Sequence, residues 1–164
     1  DFVERVGGVL REHGLPPHLL ELELTETILV VDADEALGRL GQLSALGVQL
    51  AIDDFGTGYS SLSYLKRFPI EKLKIDRSFV QGLPAEGSDA GIVRAIIEMS
   101  RALGLRVIAE GVETEAQRSF LLDAGCDQFQ GFLYAPALDA LSFEERVRGQ
   151  PPTGRPRLML VSRT

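Results

Sequence analysis

The chain has 164 residues, 45% of them hydrophobic and 25% charged, with 17 glycines and 8 prolines; that is one domain's length with a core to bury, and it excludes a disordered, collagenous or disulfide-stapled chain. A single cysteine, Cys126, forbids an internal disulfide, so a reduced, cytoplasmic setting is expected. The net charge of −7 stands at −10 on residues 1–148, because residues 149–164 carry Arg155, Arg157 and Arg163 and no acid, and an acidic body speaks against a DNA or RNA polymer or an anionic membrane as partner.

Residues 2–13 read as a helix already under way beside Asp1, which stands where a Met would open a gene product, so a piece of a longer polypeptide is expected. Strands are expected over 20–25, 48–53, 72–75, 105–110 and 127–131, with helices over 32–45, 61–66, 88–103, 114–124 and 142–147 between and after them. Ser88 and Thr114 stand where N-caps belong, and Gly47, Gly104 and Gly125 where a left-handed residue closes a helix. No apolar run approaches the ~20 residues of a membrane helix and no basic-then-apolar leader opens the chain. Prolines 151, 152 and 156 keep the tail from helix or central strand, so the division is a domain over 1–148 and a Pro/Arg-rich tail over 149–164, with a short strand possible at 158–161.

Five strand-helix units in succession mean a parallel sheet, either open and doubly wound or part of a barrel. Parity decides between them. Strands covered on both faces are apolar on both parities, but here Leu20, Leu22 and Leu24 alternate with Glu21, Glu23 and Thr25, and Val48, Leu50 and Ile52 with Gln49, Ala51 and Asp53. Leu73 and Ile75 alternate with Lys72, Lys74 and Asp76, while Ile108 shares a parity with Glu110 and Gln128 with Gln130. Polar residues on the inward face at strand C-termini are what the mouth of a TIM-like (βα) barrel provides, and since about eight strands close such a barrel, about three units are expected upstream.

The inward residues at the strand ends are Glu23, Asp53, Asp54, Lys74, Glu110 and Gln130. Carboxylates without His or Cys make an all-oxygen site, suited to Mg²⁺ or Mn²⁺ and not to zinc. His13 and His18 precede the first strand and read as surface residues. An adjacent pair such as Asp53 and Asp54 can bridge and flank two cations ~4 Å apart for phosphoester hydrolysis. Any one of these acids alone reads equally well as a solvated strand end; five ends converging do not. The segment after them, with Gly56, Thr57, Gly58 and then hydroxyls, could bring backbone amides to a phosphate, but the third glycine of G-x-G-x-x-G and any Walker lysine are missing, so a tight turn is the plainer reading.

Glu23-Leu24-Thr25-Glu26, the run Asp53-Asp54-Phe55-Gly56-Thr57-Gly58-Tyr59-Ser60-Ser61-Leu62, then Lys74-Ile75-Asp76, Ala109-Glu110-Gly111-Val112-Glu113 and Gln130-Gly131-Phe132 together resemble the EAL family, bacterial phosphodiesterases that linearise cyclic di-GMP to pGpG. The resemblance runs from about Leu15 to Leu141. It implies Glu23 and Asp53 as metal ligands with Asp53 bridging, Asp54 on the second cation, Lys74 near the attacking water and phosphate, and Glu110 as metal ligand or general base. It further implies that Gln130 steadies this shell and that Glu26 and Glu113 support the loop carrying Gly56, Thr57 and Gly58, which in the family links the metal site to a homodimer contact.

The family's signature Glu-Ala-Leu and an Asn ligand lie on strands before Glu23, so the resemblance implies that residues 1–164 alone are inactive and that the parent domain is the enzyme. Glu35-Ala36-Leu37 is a decoy, because it falls within a helix, and Ala135-Pro136-Ala137 departs slightly from the family's proline position. Two other readings stand beside the enzyme. One is a non-catalytic cyclic di-GMP-binding or protein-interaction module, which loss of ligands would mark; the positions present here are intact. The other, from the residues alone, is an enolase-like acid/base barrel using Lys72 and Lys74.

Overall fold

A computed structural model describes residues 2–25, 33–56, 65–85 and 87–149. In chain order the elements are α1 (Phe2–Glu12), a 3₁₀ turn (Pro17–Leu19), β1 (Glu21–Thr25), α2 (Ala33–Ala45), β2 (Gln49–Phe55), β3 (Lys72–Ile75), α3 (Arg77–Gln81), α4 (Ser88–Ala102), β4 (Arg106–Ala109), α5 (Glu115–Asp123), β5 (Gln128–Phe129) and α6 (Ala140–Gly149). All neighbouring strands pair in parallel, and the order across the sheet is β1-β2-β3-β4-β5. A doubly wound sheet reverses its strand order at a switch point; this one runs one way, as the wall of a TIM-like barrel does. Five units form an α/β sheet that is open among the described residues.

Alternation along each strand sorts the two faces. Leu50, Ile52, Leu73, Ile75, Val107, Ala109 and Phe129 share one parity and join a single hydrophobic cluster with Leu40 and Leu43 of α2, Val93, Ile96 and Ile97 of α4 and Leu121 of α5. The opposite parity carries Glu21, Glu23, Lys72 and Lys74, and its apolar members Ala51 and Ile108 lie outside that cluster although buried. The helices therefore cover one face, and the other is the barrel lumen.

Local signals account for most boundaries. Thr114 closes a reciprocal capping box: its Oγ1 accepts from the Gln117 amide at 3.2 Å while the Gln117 side chain accepts from the Thr114 amide at 3.0 Å. Gly47, Gly104 and Gly125 all have positive φ after their helices, as expected. Ser88 does not cap α4. It is the first helical residue, Gly87 holds the N-cap position, and the Ser88 hydroxyl turns instead to the Asp89 carboxylate at 3.3 Å.

The short helix α3 was not expected, since five residues are too few to show a helical period. It starts because the Asp76 carboxylate accepts from the Ser78 amide at 3.0 Å. Similarly α6 begins at Ala140, ahead of the expected 142, with Asp139 accepting from both the amide and the hydroxyl of Ser142, and it runs to Gly149, the first residue assigned to the tail. The remainder of that tail, its suggested strand at 158–161 and most of the helix expected over 61–66 lie outside the described residues. Among the described residues no helix is long and apolar enough to cross a membrane.

Candidate active site

The C-terminal end of β2 departs from regular pairing. Register with β3 shifts between Ile52 and Phe55, so that Ile52 faces Leu73 while Phe55, three residues on, faces Ile75, only two residues on. One extra residue on one strand is a bulge. Asp54 absorbs it with φ of 54°, a left-handed conformation that Asp tolerates better than most residues. The bulge explains how two adjacent side chains, which on a regular strand point to opposite faces, serve one site: carboxylate oxygens of Asp53, Asp54 and Glu110 all lie within 4.8 Å of one another.

Glu110 and Gln130 reach this level from just beyond β4 and β5. The ladder continues through them: the Glu110 amide donates to the Ile75 carbonyl at 3.1 Å and the Gln130 amide to that of Ala109 at 2.9 Å. Gln130 then accepts from the Val112 amide at 3.0 Å. Gly131 is required there, because a Cβ on it would sit 2.2 Å from the Val112 carbonyl oxygen.

Lys74 occupies the centre. Its buried ammonium lies 2.7 Å from Glu23 Oε1, 2.9 Å from Asp53 Oδ1 and 2.6 Å from Glu110 Oε1. Burial by itself would lower its pKa, but hydrogen bonds to the three carboxylates outweigh that and hold it above the ordinary lysine value. It stays protonated. Burial pushes the Glu110 carboxyl above its usual range against the opposing pull of Lys74. Glu23 stands apart from the Asp53, Asp54 and Glu110 group and joins it through Lys74.

Two residues unmarked by the sequence reading as separate site members belong here. Asp76 lies in hydrogen-bond reach of Asp54; burial opposes its ionisation, but hydrogen bonds, Ser78 foremost, keep it below the usual carboxylate range. Arg77, the first residue of α3, lines a cleft of about 390 Å³ that opens at Lys74, Glu110 and Gln130 and passes Gln81, Glu113 and Phe132. Phe132 is 71% exposed. The motif Gln130-Gly131-Phe132 already contained it, whereas no period could have brought α3 to the cleft.

The remaining expectations divide. Gly56 has φ of 99° and faces the Phe79 ring, which a Cβ would approach to 2.9 Å; its described constraint is packing. Glu113 donates its amide to Gln117 at 2.8 Å and lines the cleft. Glu26, Thr57 and Gly58 lie outside the described residues. Glu35 of the decoy is an exposed α2 side chain paired with Arg39 at 2.5 Å. Lys72, by contrast, is fully buried below the mouth on Glu21, at 2.6 Å, and does not line the cleft. The enolase-like reading needs it at the mouth.

The donors gathered here are oxygens only, the set that hard divalent cations prefer. The EAL domain family matches residues 1–137. A bifunctional diguanylate cyclase/cyclic di-GMP phosphodiesterase, MucR of Pseudomonas aeruginosa, is 52% identical over 85% of this chain and 20% of its own length. Among solved structures, the PaMucR phosphodiesterase in complex with c-di-GMP is 51% identical with a TM-score of 0.83, covering 86% of this chain and 57% of that one. A manganese/cy-diGMP complex of Klebsiella pneumoniae BlrP1 is 39% identical with a TM-score of 0.74, covering 80% of this chain and 33% of that one. The chain spans about a fifth of the length of the curated relatives it matches. With its motifs placed on one strand-end site and its family matched over most of its length, this chain belongs to the EAL domain family.

Proposed function

We propose that the domain to which residues 1–148 contribute hydrolyses cyclic di-GMP to pGpG with two Mg²⁺ or Mn²⁺ ions. The observation that carries this reading is the bulge that turns Asp53 and Asp54 together toward Glu110, around a protonated Lys74. Asp53 and Asp54, with Glu23 beside them, would hold the two cations through their carboxylates. Bound there, divalent cations would supply positive charge to the phosphate and acidify a water.

Glu110, whose burial raises its proton affinity, accepts the proton of the water attacking phosphorus. Lys74, held among Glu23, Asp53 and Glu110, sets its positive charge beside the phosphate as negative charge builds there. The 5′-phosphate of pGpG requires the P–O3′ bond to break, and the departing O3′ takes a proton from solvent, so that one water is added in all. Gln130 steadies the Glu110 side of the shell, and Glu113 with Glu26 supports the loop through Gly56, Thr57 and Gly58. The cleft beyond Glu110, past Arg77 and Phe132, receives the rest of the dinucleotide. The reading sets the domain in the cytoplasm as a homodimer, the compartment of a bacterial second messenger and the assembly to which that loop couples.

Chromatography of cyclic di-GMP incubated with Mn²⁺ and a protein holding the complete domain tests the reading. Appearance of pGpG, lost on chelation, is expected; tight binding with no product would replace the enzyme by a binding module. Residues 1–164 alone are expected to show no turnover, for want of the family's Glu and Asn ligands on earlier strands, and either to self-associate in light scattering or to be ordered only with the rest of the barrel present, because β1 and β5 keep open edges among the described residues. A stable monomer that cleaves the dinucleotide would refute that part.

A further inference from the structure

Below the catalytic lysine the lumen holds a second ion pair that the proposed chemistry does not use. A barrel interior at this depth is ordinarily filled by branched aliphatic side chains. Here Lys72, 0% exposed, reaches Glu21 Oε2 at 2.6 Å. Register explains the direction of the reach: Ala51 pairs with Glu23 on one side and with Lys72 on the other, so the Lys72 ammonium travels diagonally over β2, two residues toward the start of β1. Ala51, buried and with only a methyl group, leaves the path open. Lys74 makes the same diagonal to Glu23 at 2.7 Å. The two pairs are thus one motif repeated two residues apart on the same two strands, the lower one beneath the upper.

We propose that the Glu21–Lys72 pair is a strut across β2 that positions Glu23 and Lys74 for metal binding and catalysis. A buried ion pair is weak evidence for stability, since desolvation offsets most of its attraction and well-packed apolar residues often replace it without loss. What it supplies that aliphatic packing does not is a fixed distance between β1 and β3. That distance matters one step higher, where Glu23 must serve a cation while Lys74 keeps its place among the remaining carboxylates. Catalytic groups tolerate only about 0.5 Å of error. Glu21 and Lys72 touch neither substrate nor metal; they are positioning residues. The role rests on the two-metal reading above.

The test uses the complete-domain protein and the double variant Glu21→Leu/Lys72→Met, which removes both charges and keeps the volume. Expected are an unchanged melting temperature, Mn²⁺ affinity weakened roughly tenfold or more in substrate-free titrations followed by electron paramagnetic resonance, and kcat on cyclic di-GMP lowered about 10- to 100-fold with a smaller change in KM. The exchanged pair Glu21→Lys/Lys72→Glu should recover much of both. Wild-type Mn²⁺ affinity and kcat in the double variant would overturn the proposal, as would failure of both variants to fold, which makes the pair a folding element. Should the wild-type protein bind Mn²⁺ without cleaving cyclic di-GMP, the phosphodiesterase reading falls while the Mn²⁺ titration still decides the strut.

Discussion

The two faces of the sheet are made by the same twenty or so strand positions and obey opposite rules. On the outer face Leu50, Ile52, Leu73, Ile75, Val107 and Phe129 interlock with the helices in one cluster. Inside, Lys72 and Lys74 each meet carboxylates, and a buried cation is tolerated only because its partners are in place. The outer face stabilises by area, which is non-directional; the inner face works by distance and charge. Substitutions should therefore separate: outer ones should lower stability and leave the chemistry of whatever remains folded, and inner ones should do the reverse.

Asp53→Ala is the sharpest break on the inner side. Turnover of cyclic di-GMP by the complete domain should vanish, because the carboxylate proposed to hold both cations is gone. The fold should survive, since Lys74 keeps Glu23 and Glu110. Activity assay beside circular dichroism checks both halves. Glu110→Gln comes next, with kcat lowered by roughly 10² to 10⁴ and KM changed less. A well-folded, fully active Glu110→Gln protein would remove that residue from the mechanism.

Ile97→Ala probes the other face. Ile97 is 1% exposed in the cluster, and truncating such a side chain costs about 2–5 kcal/mol, read as a lower denaturation midpoint. Mn²⁺ affinity of the folded fraction should not move. Thr114→Ala should cost about 1 kcal/mol by opening the capping box of α5, again with unchanged kcat. If either outer variant altered kcat of the folded enzyme tenfold, the separation between faces would be wrong.

How much of this could be read in advance follows from the same contrast. Period two assigned both faces, and it placed Glu23, Lys74, Glu110 and Gln130 at one end, because parity is a local property of a strand. Asp53 and Asp54 could be named as neighbours, but strict alternation puts them on opposite faces; only the bulge, with its positive φ at Asp54, reconciles them. Depth was hidden as well. Lys72 and Lys74 share a parity, and nothing within β3 says that one lines the cleft and the other lies under it; register with β1 decides that. Glu23 shares the Lys74 ammonium with Asp53 and Glu110, a fact of packing between strands that spacing along the chain does not contain.

Cys126 offers the finest probe of the comparison. It belongs to the outer cluster, its thiol turned toward the Gln128 carbonyl at 3.3 Å. Burial pushes its pKa from 9.0 up to about 12, so at pH 8 the folded protein holds almost no thiolate, the form that reacts. Modification by a disulfide reagent should then require opening of the outer face. The sign for stability follows: the neutral thiol favours the fold fully below about pH 9, and that contribution fades as pH rises toward 12. Asp53→Ala should leave labelling at pH 8 as slow as in the parent, because it disturbs only the lumen. Ile97→Ala, which loosens the cluster holding the sulfur, should speed labelling in proportion to the opened population. Equal rates in the two variants would mean that the faces do not yield independently, and that the ion pairs inside carry part of the load now assigned to the helices.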